Sequence, residues 1–540
     1  MVADRDGMDC LVVGLDAACR RVLTPLFEGG QVPTLESLFD RGASGPLRSG
    51  IPPWTPSAWP SLYTGTNPGK HGLFDFLAFD GYDWDVVDAT RLRERPVWEY
   101  LADAGHRSVV VNVPVTHPPR SFDGALVPGY TAPEDPPCHP EGLLDDVRDA
   151  VGEYRVYPDA EGDGADTGYA AHREVVRMRG DAFTYLADRF DPDFGFLQFQ
   201  VVDTVFHRYP DEWAAVEAVY GAVDEQLDRV LDRVDPDTVV VVSDHGMGEY
   251  DDYEFRVNEF LREAGYVETE RGGEGMPTWA TVRDSKLRRG ETGDVDRSAL
   301  DAAMAGLARA GVTTQRVVRV LDAVGLTDAV GRVVPSSVAE SGAEQVDFPA
   351  STAFVRSRSE LGVRINVEGR EPDGVVPPDE YERVRSELID LLSGVETPDG
   401  DPVFEAVEPR EAYFEGPAAG EAVDIVLVPH EFEQFLSARL ADDAFGEPSE
   451  PWNHKREGIV AVAGEGVDTG ASLSGAHIYD VAPTLLALFG LPRAERMDGD
   501  VLPVVDDAGA REYADTERIE ATAREGAVES RLEDLGYIER

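Results

Sequence analysis

Six short runs of this 540-residue chain are almost wholly apolar: Cys10 to Gly14, Ser108 to Val113, Phe194 to Val202, Thr238 to Val242, Asp424 to Val428 and Gly458 to Val462. Continuous apolarity over so few residues, without the alternation of a half-exposed strand, predicts strands buried on both faces. Between them the period changes. From about Asp211 to Val234, the residues Val216, Tyr220, Val223, Leu227, Val230 and Val234 recur every three or four positions with acidic residues opposite, which predicts a helix with one buried stripe. A second stripe, Tyr381, Val384, Leu388 and Leu391, predicts a helix from Asp379 to about Leu392. Strands alternating with helices of this length predict βαβ units and an α/β fold built on a mostly parallel, doubly wound sheet.

The pattern lapses between Tyr266 and Val346, where Gly, Arg, Thr and Ala replace the apolar runs. The expected organisation is therefore a core in two parts, residues 1–265 and 347–505, separated by an insertion or cap at 266–346 and followed by a charged tail at 506–540. Thr352 to Val355 and Gly362 to Val367 read as further strands, either in the cap or returning to the sheet. A chain of this length has ample core for one large catalytic domain with a subdomain.

Charge narrows the function classes. With 104 Asp and Glu against 49 Lys and Arg, the formal net charge is −55, spread along the whole chain. That argues against a nucleic-acid polymer as partner. It suits a cytosol at molar salt, where the Debye length falls to about 3 Å and self-repulsion is screened. The three cysteines, Cys10, Cys19 and Cys138, form neither a CxxC pair nor an even set. There is no basic stretch leading into an apolar one at the start, and no apolar run of about 18 residues anywhere, so a cytoplasmic protein without a membrane partner is expected.

Three of the apolar runs lead into aspartate: Asp16, Asp203 and Asp244, the last followed at once by His245. Beyond the carboxyl ends of parallel strands lies the ligand-binding crevice of such a sheet, so the three carboxylates are expected to converge there. Clustered, half-buried carboxylates repel unless a cation joins them. His207 follows Asp203 at i+4, on the same face if the segment is helical, and imidazole with carboxylate suits zinc or a similar divalent ion. Asp244 and His245 are adjacent and can serve one ion or two. Thr55, followed by Pro56, reads as an N-cap with Pro at the first helical position. Its hydroxyl is either a plain cap or a nucleophile at an anion-favouring helix end, and a divalent ion is one way to activate it.

The motifs together resemble those of the type I phosphodiesterase and nucleotide pyrophosphatase group of the alkaline phosphatase superfamily. They are Gly14-Leu15-Asp16-Ala17, Thr55-Pro56 with the stretch from Tyr63 to Gly72, Asp203 to His207, Ser243 to Met247, Asn453 to Gly458, and Ala476 to Pro492 followed by Met497-Asp498-Gly499. The resemblance implies an alkaline phosphatase-like three-layer α/β/α fold with an inserted cap. It implies two divalent metal ions, Zn with Mn as the alternative: one held by Asp203, His207 and His454, the other by Asp16, Asp244, His245 and the Thr55 oxygen. His430 and His477 are the alternatives for His454. Thr55 would be the catalytic nucleophile, cleaving a small phosphorylated substrate, a diester, through a phosphothreonine intermediate. The chain departs from the group where an asparagine usually follows the His-Gly pair: His71-Gly72 leads into Leu73, Phe74, Asp75 and Phe76. Lys70 and Phe76 are then the candidates for binding substrate, Lys70 reading equally as a solvated charge, and Trp54, Trp59 and Phe74 as pocket lining or core. Competing readings are a monoester, phosphonate or sulfate hydrolase, a phosphoglycerate mutase-like enzyme, and a degenerate metal-binding scaffold. The sulfatase Cys-X-Pro-X-Arg motif is missing, and the oligomeric state is left open.

Overall fold

The computed structural model describes residues 7–159, 164–271, 283, 287 and 344–514. Its largest sheet has seven strands: β1 (Cys10–Leu15), β2 (Ala43–Arg48), β3 (Ser108–Val111), β4 (Gly124–Val127), β5 (Phe194–Phe199), β6 (Thr238–Val242) and β7 (Glu457–Gly464), in the spatial order β2-β7-β6-β1-β5-β3-β4. From β6 to β4 every pairing is parallel, while β7 and β2 add an antiparallel edge. The run from Gly458 to Val462 is thus in the sheet, but in the reverse direction.

Strand β1 is buried throughout because a layer of helices covers each face of the sheet. Leu11, Val13 and Leu15 share a core with α1 (Arg20–Glu28), α2 (Pro33–Arg41), α4 (Ala170–Phe190) and α6 (Trp213–Val234). Cys10 and Val12 point the other way, into a core with Trp59 and Leu62 of α3 (Thr55–Thr64) and Leu485 and Leu486 of α8 (Val481–Leu488). This is the expected three-layer α/β/α arrangement, and it explains why these strands read as unbroken apolar runs.

The chain passes from β5 to β6 through α5 (Val201–Arg208) and α6, stepping over β1. Strand β1 therefore has parallel neighbours on both sides, reached from opposite directions, and the crevice at its carboxyl end is where a ligand site forms in such folds.

Two expectations need correcting. The apolar run from Phe194 to Val202 is not one strand: it ends at Phe199, and Val201 and Val202 begin α5. The run Asp424 to Val428 forms a strand, Ile425–Pro429, outside the large sheet. It lies in a four-stranded antiparallel sheet with Ala353–Phe354, Gly362–Ile365 and Phe404–Pro409. Apolarity reports burial, not which sheet does the burying. This second lobe has its own core, in which Val363, Ile365 and Val426 meet Val384, Leu388 and Leu392 of α7 (Tyr381–Ser393) together with Phe255 and Leu261. Ile51 and Trp54, just ahead of α3, join it.

The insertion read over 266–346 lies mostly outside the described residues, as does the tail beyond residue 514. What is described are its two ends, Thr269–Arg271 and Glu344–Val346, paired as antiparallel strands.

Candidate metal centre and nucleophile

Asp16 and Asp244 stand one and two residues past the ends of β1 and β6, parallel neighbours in register. Asp203 arrives differently. It sits in the first turn of α5, with His207 one turn later and its Nε2 3.3 Å from Asp203 Oδ1. His454 comes from much later in the chain, on a short strand (Trp452–Lys455) paired antiparallel with Gly246–Glu249, His454 opposite Met247. The ribbon that continues from Asp244 and His245 thus carries the last histidine back to the crevice.

Two groups of ligand atoms result: Asp16, Asp244 and His245 in one, Asp203, His207 and His454 in the other. They adjoin, since the His245 and His454 rings stack with centroids 3.7 Å apart. Of the expected ligands all six are brought together, and the seventh, Thr55, places its Oγ1 3.4 Å from Asp16 Oδ1. Neither His430 nor His477 joins either group; His477 instead heads the short helical turn at Ile478–Asp480.

The donor chemistry fits divalent cations. His245 Nδ1 is 3.0 Å from the Gly246 carbonyl and His454 Nδ1 3.2 Å from that of Pro53, so each ring donates there and turns its Nε2 lone pair inward. His454 Nε2 lies 3.3 Å from Asp203 Oδ1, and His245 Nε2 lies 3.1 Å from Asp244 Oδ2 and 3.5 Å from Asp16 Oδ1. Asp203 Oδ1, Asp244 Oδ2 and His245 Nε2 are buried without a hydrogen-bond partner. Such atoms are costly unless something else satisfies them, and all three point where an ion would lie.

Electrostatics agrees except at His207, where burial is outweighed by the carboxylates of Asp203 and Glu450 and the pKa is raised to about 10. Burial, then the charges of Asp244 and Asp203, push the Asp16 carboxyl well above its usual range; burial and then Asp203 act likewise on Asp244. Burial keeps His245 and His454 neutral, the form that ligates. Burial opposes charge on Asp203 too, but His207 and His454 outweigh it and hold that carboxyl well below the usual range.

Residues 10–459 match the family model for type I phosphodiesterase / nucleotide pyrophosphatase. The chain belongs to that family. No curated protein sequence matches it. Among solved structures, phosphonoacetate hydrolase from Sinorhizobium meliloti 1021 in complex with phosphonoacetate is similar at 18% identity and a TM-score of 0.51, over 88% of this chain and 94% of that one. Wild-type alkaline phosphatase PafA is similar at 15% identity and a TM-score of 0.51, over 92% of this chain and 98% of that one. At these identities the likeness is one of fold, and the fold is alkaline phosphatase-like.

Within that family frame, several site residues take places that the sequence did not indicate. Thr55 is the first residue of α3, with Trp54 as N-cap and no side-chain cap. Freed from capping, its hydroxyl turns to Asp16. Trp59 is core rather than pocket lining: it is fully buried, and its Nε1 donates to Asp16 Oδ2 at 2.9 Å. Trp54 packs beside His454, with centroids 4.5 Å apart. Lys70 does not reach out as a phosphate-binding cation, because its ammonium pairs with Asp498 and donates to the Arg496 carbonyl. Phe76 packs edge-on against Tyr130 in a small apolar cluster, and Phe74 against Phe414.

Gln198 is a participant that sequence reading missed. Its Nε2 donates to Asp16 Oδ2 at 2.9 Å, and its Oε1 accepts from Asn112 at 2.8 Å. A signal existed: it is the one polar side chain in the run FGFLQF of β5, and a polar group buried on both faces must find partners.

Proposed function

We propose that this protein is a metal-dependent hydrolase of phosphate diesters that works through a phosphothreonine intermediate. The observation that supports it most is the Thr55 hydroxyl, donating to Asp16 Oδ1 where that carboxylate meets His245. Asp16, Asp244 and His245 would hold one ion with the Thr55 oxygen, and Asp203, His207 and His454 the other. Zinc suits the nitrogen-rich second set best, with manganese as the alternative. When bound, such ions supply Lewis acidity that lowers the pKa of a hydroxyl or water and stabilises charge on phosphoryl oxygens.

The residues' own part is positioning. Trp59 and Gln198 hold one oxygen of Asp16, leaving the other to orient Thr55. Thr55 Oγ attacks phosphorus in line; the new P–O bond forms as the bond to the leaving oxygen breaks, the electron pair departing with that oxygen, which takes up the proton that Thr55 releases. Water then attacks phosphorus from the vacated side, the P–Oγ bond breaks, and Thr55 recovers its proton.

A phosphonate or monoester substrate is the second reading, favoured because no asparagine follows His71-Gly72 and apolar Leu73 and Phe76 stand there instead. We place the working medium in a cytoplasm at high salt. Support comes from the charge of −55 and from three buried free cysteines; no described helix is long and apolar enough to cross a membrane.

The test is hydrolysis of bis(p-nitrophenyl) phosphate by purified protein in molar KCl with zinc or manganese. Metal-dependent nitrophenolate release is expected. Activity on phosphonoacetate or p-nitrophenyl phosphate with none on the diester would replace the diesterase reading by the second one.

A further inference from the structure

The three histidines of the centre are not anchored alike. His245 and His454 each direct Nδ1 at a backbone carbonyl, which fixes the ring whatever the side chains around it do. His207 has no such carbonyl. It stands in the last turn of α5 with its side chain 29% exposed against 5% for His454, and its Nδ1 faces a carboxylate, Glu450 Oε2, at 3.6 Å. Glu450 is on the side of the ring away from Asp203, so it stands behind the imidazole rather than among the ligand atoms.

Glu450 is itself held at both oxygens. Arg358 Nη1 lies 2.6 Å from Oε1, and Asn453 Nδ2 donates to Oε2 at 2.6 Å. Asn453 in turn accepts the backbone N–H of His454 on its Oδ1 at 2.7 Å, so one amide ties Glu450 to the other histidine of the same group. The segment is also pressed onto α5, because Trp452 stacks on Phe206 with centroids 5.3 Å apart and rings 25° from parallel. Arg358 comes from the second lobe. It opens the helical turn Arg358–Glu360 that precedes the strand Gly362–Ile365, and its guanidinium sits 5.0 Å from the centroid of Phe435.

We infer that Glu450, held by Arg358 and Asn453, is the positioning residue for His207, and that the second lobe thereby sets the affinity of one of the two metal positions. A carboxylate behind a ligating imidazole fixes its tautomer and orientation and makes it a better donor, and loss of such a partner typically weakens metal binding about 10- to 100-fold. Here the carboxylate's own place depends on an arginine from the second lobe. The inference rests on the metal-centre reading above.

The test is a zinc titration of the full-length protein in molar KCl against a chromophoric chelator, with melting of the zinc-free protein measured alongside. Wild type should take up two ions, and His207→Ala should abolish one step, which identifies it. Glu450→Gln should weaken that same step roughly 10- to 100-fold and leave the other unchanged. Arg358→Gln should weaken it less, and Arg358→Lys should restore it, while zinc-free melting stays at the wild-type temperature. If Glu450→Gln is folded and binds both ions as wild type does, the inference is overturned and the metal centre stands. If both steps weaken together with a fall in zinc-free melting, Glu450 is a structural residue and the inference is equally overturned. A wild type that takes up no zinc or manganese would remove the metal-centre reading, and this inference with it.

Discussion

Asp16 shows how much a single carboxylate is asked to do. One oxygen accepts hydrogen bonds from Trp59 and Gln198, both at 2.9 Å, and the other faces Thr55 and His245. Thr55→Ala should lower turnover by roughly a thousandfold or more while zinc content by elemental analysis stays at the wild-type level. Retained activity would dismiss Thr55 as nucleophile. Gln198→Met keeps the volume but removes a donor to a charged group. The expected loss is about 1.5–3 kcal/mol, read as a roughly 10- to 100-fold fall in kcat/KM. Away from the ligands, Asp75 is buried with Oδ2 unpartnered, and burial followed by the charge of Glu360 pushes its carboxyl up to about 7. An acid raised in the folded state contributes stability that is full below its unfolded pKa near 3.9 and is lost as pH rises to about 7. Wild type should therefore lose melting temperature between about pH 4 and 7 relative to Asp75→Asn, with the two profiles parallel above that window. Parallel profiles throughout would show that Asp75 keeps an ordinary pKa.

The elements matter through where they end and how closely they cross. Strand β1 can pass under α3 only because position 14 is glycine: a Cβ there would come 2.6 Å from Trp59 Cη2 and 2.9 Å from Gln198 Cγ. Those are the two side chains that hold Asp16. Gly14→Ala should thus cost activity out of proportion to stability, since overpacking of this kind costs about 1–3 kcal/mol while displacing both donors at once. A kinetic assay beside thermal melting distinguishes the two, and an active Gly14→Ala would mean that Trp59 yields without moving Asp16. Element boundaries were also where sequence reading fell short. The run from Phe194 to Val202 carries no internal punctuation, so strand and helix merged in it. Yet the i+4 spacing of Asp203 and His207 on one helical face was legible, because it depends only on local geometry. Thr55 was displaced by one position, from cap to first helical residue, because Pro56 fits the second helical position as well as the first.

At the scale of the whole molecule, charge and cations dominate. With a net charge of −55, self-repulsion opposes the compact state, and the melting temperature should rise steeply between low salt and molar KCl. A flat response would remove the halophilic reading. Chelator should lower melting further, because an ion present at a hundred times its Kd adds about 2.7 kcal/mol to the folded state. The residues of the centre span from Asp16 to His454, and the sequence alone marked the strand-end carboxylates and the Asp203 and His207 pair as candidate ligands, while the structure brought them together with His454. The sequence determined the class of the fold too, since period and apolarity are local properties of the chain. Only the tertiary structure decided what stands behind those ligands. That Gln198 and Trp59 grip Asp16, that Lys70 is spent on Asp498, and that the strand at Ile425–Pro429 belongs to a second sheet all depend on contacts between distant segments. No periodicity records such contacts, because burial constrains a residue's polarity and not the identity of its neighbour.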